Sequence, residues 1–362
     1  MFTRNETRRV NCGGVPIGGG APISIQSMTN TDTRDAEATV RQISELTEAG
    51  CQIIRVAVPD EAAARAVETI KKNITIPLVC DIHFDYKLAL MCVDSGADKI
   101  RINPGNIGSV ENTRLVTEKC KRAGIPIRIG VNSGSVEKQL LEKYGGATAE
   151  ALVESALSHV KILEELGFYD TVISIKASDV NISLKAYEMM AERCNYPLHI
   201  GITEAGTING GTIKSCVGLG AILSRNIGDT VRVSLTGDPA EEVRVARKAL
   251  QALDLGGNRM VEFTSCPTCG RTCVDLIGVA NDIESRLYAL EAAGRFIKPF
   301  HVAVMGCAVN GPGEARNADI GLAGGKNEFL YFEKGEIKGK FPQETAAERF
   351  VNLIVEKFGG NL

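Results

Sequence analysis

The chain carries almost no net charge. Its 362 residues sum to −3 at pH 7, which leaves no global field to attract nucleic acid or an anionic membrane. Any anion site must therefore be a local concentration of Arg and Lys. An apolar run of membrane-spanning length is also lacking, and Met1 to Val10 is polar and Arg-rich, without the apolar stretch of a signal peptide. A cytoplasmic protein with no nucleic-acid or membrane partner is expected. No internal repeat and no low-complexity tract interrupts the pattern. A Gly-rich phosphate fingerprint after the first strand is missing too, since Gly18-Gly19-Gly20 precedes that strand and reads as a loop. That absence argues against a doubly wound dinucleotide fold. The rest is ordinary globular composition, 44% hydrophobic and 23% charged, and long enough for one large domain plus a smaller one.

From Ile23 to about Leu255 one rhythm repeats: a short β-branched run ends in polar residues or Gly, then a longer amphipathic segment follows. The runs are Ile23–Thr29, Ile53–Pro59, Pro77–His83, Lys99–Gly105, Pro126–Asn132, Thr171–Ser178, Leu198–Glu204 and Thr230–Gly237. Helical periodicity fills gaps such as Ala36–Ala49, Glu61–Lys71, Ala149–Leu166 and Pro239–Leu253. Alternating strands and helices imply a parallel sheet. Eight such units over roughly 250 residues match the size and count of a closed TIM (β/α)8 barrel, spanning 1–255. Gly256-Gly257-Asn258 reads as a linker. Beyond it, 256–362 reads as a smaller C-terminal α/β domain. A Cys-bearing loop (Ser265–Cys273) leads to a helix near Asn281–Ala293 and strands at His301–Met305 and Ile320–Leu322. A hairpin, Phe329–Phe332 with Glu336–Lys340, and a last helix near Glu344–Phe358 complete it.

The polar residues on the strands alternate with apolar ones. Arg101 and Asn103 share the face opposite Ile100 and Ile102, Arg128 and Asn132 oppose Ile127, Ile129 and Val131, and Ser174 and Lys176 oppose Ile173 and Ile175. Arg232 and Ser234, and Arg55, follow the same rule. The outward face of a barrel strand packs under helices and must be apolar, so the cations point inward, where Val, Ile and Leu normally sit. Several inward cations repel one another and stay desolvated unless an anion lies among them. A diphosphate suits Arg forks. The plainer alternative pairs each Arg with a carboxylate such as Asp81 or Glu204. Glu204 ends its strand at the face where barrel catalysis occurs and is a candidate proton donor or acceptor. Asp81 and His83 are further candidates.

Seven of the 11 cysteines (Cys12, Cys51, Cys80, Cys92, Cys120, Cys194, Cys216) are scattered and read as small buried hydrophobes. The others group: Cys266, Cys269 and Cys273, then Cys307. The Cys266/Cys269 spacing alone is open to zinc, a redox disulfide or an iron–sulfur centre. A zinc ribbon needs a second close pair, which Cys307 does not supply. Gly306-Cys307-Ala308-Val309-Asn310-Gly311-Pro312-Gly313-Glu314 offers a thiol, a Gly/Pro-rich loop and a carboxylate that could wrap one cluster. Three thiolates plus an exchangeable oxygen ligand would leave one iron open to substrate. Cys273 is a rival third ligand, and a structural zinc knot is the bland alternative.

Ser265–Arg271, Gly306–Glu314 and Gly201–Gly206, with Arg101–Asn106, Arg128–Asn132 and Ser174–Ser178, resemble the bacterial 4-hydroxy-3-methylbut-2-enyl diphosphate synthase family in its short two-domain form. The resemblance runs from near Asn11 to Glu314 and beyond. It implies a [4Fe–4S] cluster on Cys266, Cys269, Cys307 and Glu314, in an iron–sulfur C-terminal domain. It implies reductive ring opening of 2-C-methyl-D-erythritol 2,4-cyclodiphosphate in the methylerythritol phosphate route to isoprenoids, with flavodoxin or ferredoxin as electron donor and a homodimeric assembly. Glu204 and Glu314 would be catalytic. The diphosphate would lie among Arg55, Asp81, His83, Arg101, Arg128, Asn132, Lys176, Arg232, Ser234 and Asn310. Cys273 is not required by the motif. Two competing readings are a pterin-type transferase barrel, which leaves the cysteines without a use, and a zinc-stabilised anion-binding module.

Overall fold

The computed structural model describes residues 4–103, 105–256, 260–307, 313 and 315–360. The chain divides into two compact units, Met1–Gly257 and Asn258–Leu362.

In the first unit a short antiparallel hairpin, β1 (Val10–Cys12) and β2 (Val15–Ile17), precedes the barrel. Eight strands follow: β3 (Ser24–Met28), β4 (Ile53–Ala57), β5 (Leu78–Asp81), β6 (Lys99–Ile102), β7 (Ile127–Asn132), β8 (Thr171–Lys176), β9 (His199–Ile200) and β10 (Thr230–Val231). Their order in the sheet is β8-β7-β6-β5-β4-β3-β10-β9, and a parallel bridge between Ile173 and Leu198 joins the two ends into a ring. Seven helices of this unit start at a side chain that accepts one of their free N–H groups. Asp35, Asp60, Asp85, Ser109, Thr148, Asp179 and Asp238 all cap in this way, each contributing roughly 1 kcal/mol. Pro239 occupies the first turn of its helix, where its missing N–H costs nothing.

Alternation along the strands sorts the side chains as expected. Ile100, Ile102, Ile127, Ile129, Val131, Ile173 and Ile175 point outward and are buried with the apolar helix faces in one core. Each such side chain contributes about 1.5–3 kcal/mol by leaving water. Inward, Ile53, Val79 and Val172 meet Val10, Cys12 and Ile17 of the hairpin in a separate apolar cluster. The hairpin is therefore a plug that closes the barrel floor. Gly18, next to it, has φ +81°, and a Cβ there would fall 2.2 Å from the Arg8 carbonyl oxygen. Only glycine fits that turn.

The strands are shorter at their C-terminal ends than the sequence pattern suggests. β9 and β10 hold two residues each, so Glu204, Arg232 and Ser234 lie on the loops that leave the sheet. The hairpin, with three residues per strand, is too short to show a period and is absent from the sequence reading.

The second unit is a five-stranded sheet, β11 (Val261–Ser265), β12 (Phe300–Met305), β13 (Ile320–Gly324), β14 (Glu328–Glu333) and β15 (Glu336–Pro342) in that spatial order. The first three are parallel, the last two antiparallel. Helices Leu276–Ala292 and Ala346–Phe358 bury Ile283, Leu287, Phe350 and Ile354 against Val302, Val304, Ile320 and Leu322. The first of these helices begins five residues before the expected Asn281, because Asp275 caps it by accepting from the Gly278 N–H. β11 escapes the sequence reading because it is an edge strand with exposed polar positions. Among the described residues no helix is long and apolar enough to cross a membrane.

Candidate active site

The upper interior of the barrel is lined by charge. Arg55 on β4, Asp81 on β5, Arg101 on β6, Arg128 on β7 and Lys176 on β8 all occupy inward positions, Arg232 follows β10, and Lys99 lies lower on β6 beside Cys12 of the hairpin. Asp81 is the hub. Its Oδ1 accepts from Arg101 Nη1 at 2.9 Å, and its Oδ2 lies 3.7 Å from Arg55 Nε and 3.6 Å from His83 Nε2. Burial alone would raise the Asp81 carboxyl, but Arg55, His83, Arg101 and Arg128 outweigh it and hold the group well below the usual carboxylate range. Arg101 reaches this position because residue 130 is glycine, where a Cβ would lie 2.4 Å from Arg101 Nε. Arg232 Nη2 donates to Glu242 Oε2 at 3.3 Å, while Glu242 Oε1 accepts from the Leu235 N–H at 2.9 Å. Arg55 Nε points at Met28 Sδ, 3.1 Å away.

Two carboxylates face five basic side chains: Asp81 and Glu242 against Arg55, Arg101, Arg128, Lys176 and Arg232. Individual pairing therefore accounts for part of the set and leaves an excess. Arg128, 1% exposed, has no hydrogen-bond partner in the protein at Nε or Nη1. Arg101 Nε and Arg232 Nε are likewise buried and partnerless. The energetic consequence falls on proton affinity. Burial, opposed by Asp81 and reinforced by Arg232 and Arg101, pushes Arg55 down to about 10. Burial, with Arg55 and Arg101 adding to it, drives Arg128 well below its ordinary value. Lys99 and Lys176 are lowered mainly by burial as well.

Around the mouth, His83 and Glu204 are exposed and Asn132 and Ser234 half-buried. Glu204 has φ +50°, in the left-handed region, at a cost of about 1–2 kcal/mol for a residue with a Cβ. Buried Ile202 and Ala205 flank it. It makes no ion pair with any described residue, so it does not serve as counter-ion to the cations. Lys99, His199, Glu242 and Met28 are absent from the sequence reading of the site. Lys99 shares the parity of Arg101, a signal that was available. Glu242, in the first turn of the helix Pro239–Ala252, looks like any helix-start acid.

In the second unit, β11 and β12 are parallel neighbours, with Ser265 level with Val304. Cys266 and Cys307 thus leave the same edge of the sheet from adjacent strands. The Cys266 N–H donates to the Val304 carbonyl at 3.3 Å, and the Gly306 N–H donates to Cys266 Sγ at 3.1 Å. Cys269 and Cys273 are exposed and Cys307 half-buried. Hydrogen bonding from Arg271, backbone first and side chain second, lowers the Cys269 thiol. A cleft of about 460 Å³, lined by Phe263, Cys266, Pro267, Leu276 and Ile277 among others, opens beside this edge. Among the described residues no three Cys, His, Asp or Glu side chains converge on one ion position. Asn310 and Glu314 lie outside the described residues. The donor set still fits an iron–sulfur centre in kind: soft thiolates at one sheet edge, with a backbone N–H directed at a cysteine sulfur.

The fold and interior charge define a (β/α)8-barrel protein whose interior is lined by buried cationic side chains, accompanied in the same chain by a cysteine-bearing α/β unit. The chain belongs to the GcpE family: its residues 7–247 match the GcpE TIM-barrel domain and residues 262–356 the GcpE protein C-terminal domain. A relative from Ruminiclostridium cellulolyticum, the 4-hydroxy-3-methylbut-2-en-1-yl diphosphate synthase (flavodoxin), is 57% identical over 353 residues, 98% of both chains. The protein of the same name from Bacillus subtilis is 58% identical over 357 residues, covering 98% of this chain and 93% of its own length. A dihydropteroate synthase from Xanthomonas albilineans aligns in three dimensions at TM-score 0.48 and 14% identity, covering 68% of this chain and 97% of its own, a likeness too slight to carry an argument.

Proposed function

We propose that this chain converts 2-C-methyl-D-erythritol 2,4-cyclodiphosphate to (E)-4-hydroxy-3-methylbut-2-enyl diphosphate in the methylerythritol phosphate pathway, taking two electrons from flavodoxin. Family membership and near full-length identity to enzymes of that name support the reaction. The observation that carries the assignment to the barrel is the surplus of buried, partnerless cationic nitrogens, above all Arg128 Nε and Nη1. A diphosphate supplies the missing acceptors, and Arg forks match its oxygens in pairs.

In this reading Arg55, Arg101, Arg128, Lys176 and Arg232 grip the diphosphate, while Asp81 keeps Arg55 and Arg101 aimed. His83, Asn132, Ser234 and Asn310 complete the substrate site. The apolar floor excludes water from below, which strengthens each phosphate contact. Glu204, held at the mouth by its strained turn, gives a proton to the departing hydroxyl so that the oxygen leaves as water. Cys266, Cys269, Cys307 and Glu314 would hold a [4Fe–4S] cluster, which when bound supplies electrons one at a time. The 1–255 segment is then the substrate-binding domain and 256–362 the cluster domain. A homodimer in the cytoplasm completes the proposal, consistent with eleven free thiols, which suit a reducing compartment.

The test is metal and acid-labile sulfide analysis of protein prepared without oxygen, together with turnover of the cyclic diphosphate by reduced flavodoxin. Iron with sulfide and turnover are expected, both lost in Cys266→Ser, Cys269→Ser and Cys307→Ser and kept in Cys273→Ser. Zinc without sulfide, or undiminished turnover in Cys307→Ser, would refute the reading.

A further inference from the structure

Lys176 has a partner unlike that of any other cation in the barrel. Its Nζ lies 3.1 Å from His199 Nε2, and both side chains are buried. Among the described residues neither group is hydrogen bonded to or ion-paired with a carboxylate. His199 Nδ1 has no partner at all, and the histidine backbone is fixed by the Tyr187 hydroxyl, which donates to His199 O at 2.8 Å. Space for the amine comes from Gly201, where a Cβ would lie 3.2 Å from Lys176 Nζ and 2.3 Å from the Arg232 carbonyl oxygen. A lysine thus lies beside a base instead of an acid, among Arg128, Arg232, Arg55, Arg101 and Lys99.

We infer that His199 is a positioning residue that holds the Lys176 amine uncharged in the barrel wall, and that arrival of a diphosphate draws a proton onto this amine. Two adjacent bases cannot both carry charge in a dry, cationic interior, so in the empty site a neutral N–H···N hydrogen bond joins Lys176 Nζ to His199 Nε2. When two negative phosphates replace water at the mouth, the balance reverses and an ammonium becomes the stable form. His199 remains the acceptor and keeps the new charge aimed. The directions of titration agree. Burial first, then Arg128, Arg232, Arg55 and Arg101, pushes Lys176 far below the ordinary lysine value, and burial followed by Lys176 itself pushes His199 down. The site would so avoid one full charge of self-repulsion while empty and recover it when the ligand is present.

The inference rests on the barrel being the diphosphate site. Titration calorimetry of the full-length, cluster-bearing protein with inorganic diphosphate, in buffers of different ionisation enthalpy, tests both. Wild-type protein is expected to take up about one more proton per diphosphate near neutral pH than Lys176→Gln. Its affinity should fall with rising pH, by up to roughly tenfold per unit. Free diphosphate gains negative charge over the same range, so simple attraction would give the opposite slope. His199→Gln, which keeps an acceptor within reach of Nζ, should bind within roughly threefold of wild type, whereas His199→Leu should lose roughly tenfold or more. Thermal unfolding of both variants separates loss of positioning from loss of fold, and the glutamine variant remains informative if leucine does not fold. Wild-type affinity that rises with pH, a proton count equal to that of Lys176→Gln, or wild-type affinity in His199→Leu would overturn the inference. Should Lys176→Gln bind too weakly to measure, the wild-type pH slope decides. Absence of diphosphate binding by wild-type protein would refute the anion-site reading, and this inference with it.

Discussion

Replacing Arg128 with methionine, similar in volume but uncharged, should move stability and binding in opposite directions. In the empty barrel this guanidinium is fully buried and leaves Nε and Nη1 without partners. Burial, then Arg55 and Arg101, lowers its affinity for a proton. A base whose proton affinity falls on folding destabilises the native state at every pH below its folded value, and the penalty lifts only as pH rises through that value. Arg128→Met removes the penalty at neutral pH. The melting temperature of the barrel should rise, by about 2–4 °C for each kcal/mol recovered in a unit of this size. Binding should suffer. Two charge-assisted hydrogen bonds to phosphate, at about 1.5–3 kcal/mol each, amount to a loss of roughly 100- to 10,000-fold in affinity. Calorimetry with inorganic diphosphate and thermal unfolding in phosphate-free buffer measure the two quantities on one preparation. A saturating ligand at 100 times its dissociation constant should add about 2.7 kcal/mol to wild-type stability and almost nothing to the variant. An Arg128→Met protein that melts lower and binds diphosphate as before would show that the arginine is structural, and the surplus-charge argument would fail.

Three further substitutions test the mouth and the hub. Glu204→Gln should cut turnover by about 100- to 10,000-fold while leaving iron content and diphosphate affinity intact, and full activity would remove the residue from the mechanism. Glu204→Gly, which relieves the left-handed backbone, should melt at or above the wild-type temperature yet be inactive. Asp81→Asn strips the counter-charge from Arg55 and Arg101 and should cost about 3–5 kcal/mol, read by denaturant unfolding. Because Asp81 titrates below the usual carboxylate range in the folded protein, its contribution is complete at neutral pH and disappears only as acid takes the pH down through that lowered value. The variant should therefore lose its acid-labile stability, and identical acid-unfolding profiles for the two proteins would remove Asp81 from the account.

Much of the barrel was legible because its strands must be apolar on the helix side. Once Ile100 and Ile102 face outward, Arg101 has nowhere to go but inward, and the same reasoning holds for Arg128 and Lys176. The helices were legible from their apolar periodicity, and capping residues such as Asp35, Asp60 and Ser109 fix where they begin. What resisted reading was pairing between different elements of the chain. Nothing local to Glu242 says that it holds Arg232, and nothing local to His199 says that its ring meets Lys176. The plug formed by Val10, Cys12 and Ile17 is invisible for the same cause, since its partners Ile53, Val79 and Val172 lie far along the chain. Cys266 and Cys307 were grouped by their motifs, but their exit from one sheet edge depends on β11, an exposed strand with no clear alternation.

The plug and the cations belong to one physical argument. With the floor apolar, water and ions can approach the inward arginines only from the strand ends, so the empty barrel keeps several charges partly desolvated at the expense of its own stability. The same low-dielectric surroundings that make those charges costly make each contact with an arriving phosphate stronger than it would be in water. No reorganisation of solvent is then needed at the moment of reaction, because the donors are already fixed by Asp81, Glu242 and Gly130. In the proposed function, a hairpin of six strand residues at the bottom of the barrel would thereby govern binding at the top. Opening that floor with a polar substitution at Ile17 would be expected to weaken diphosphate affinity from a distance, without touching a single phosphate contact.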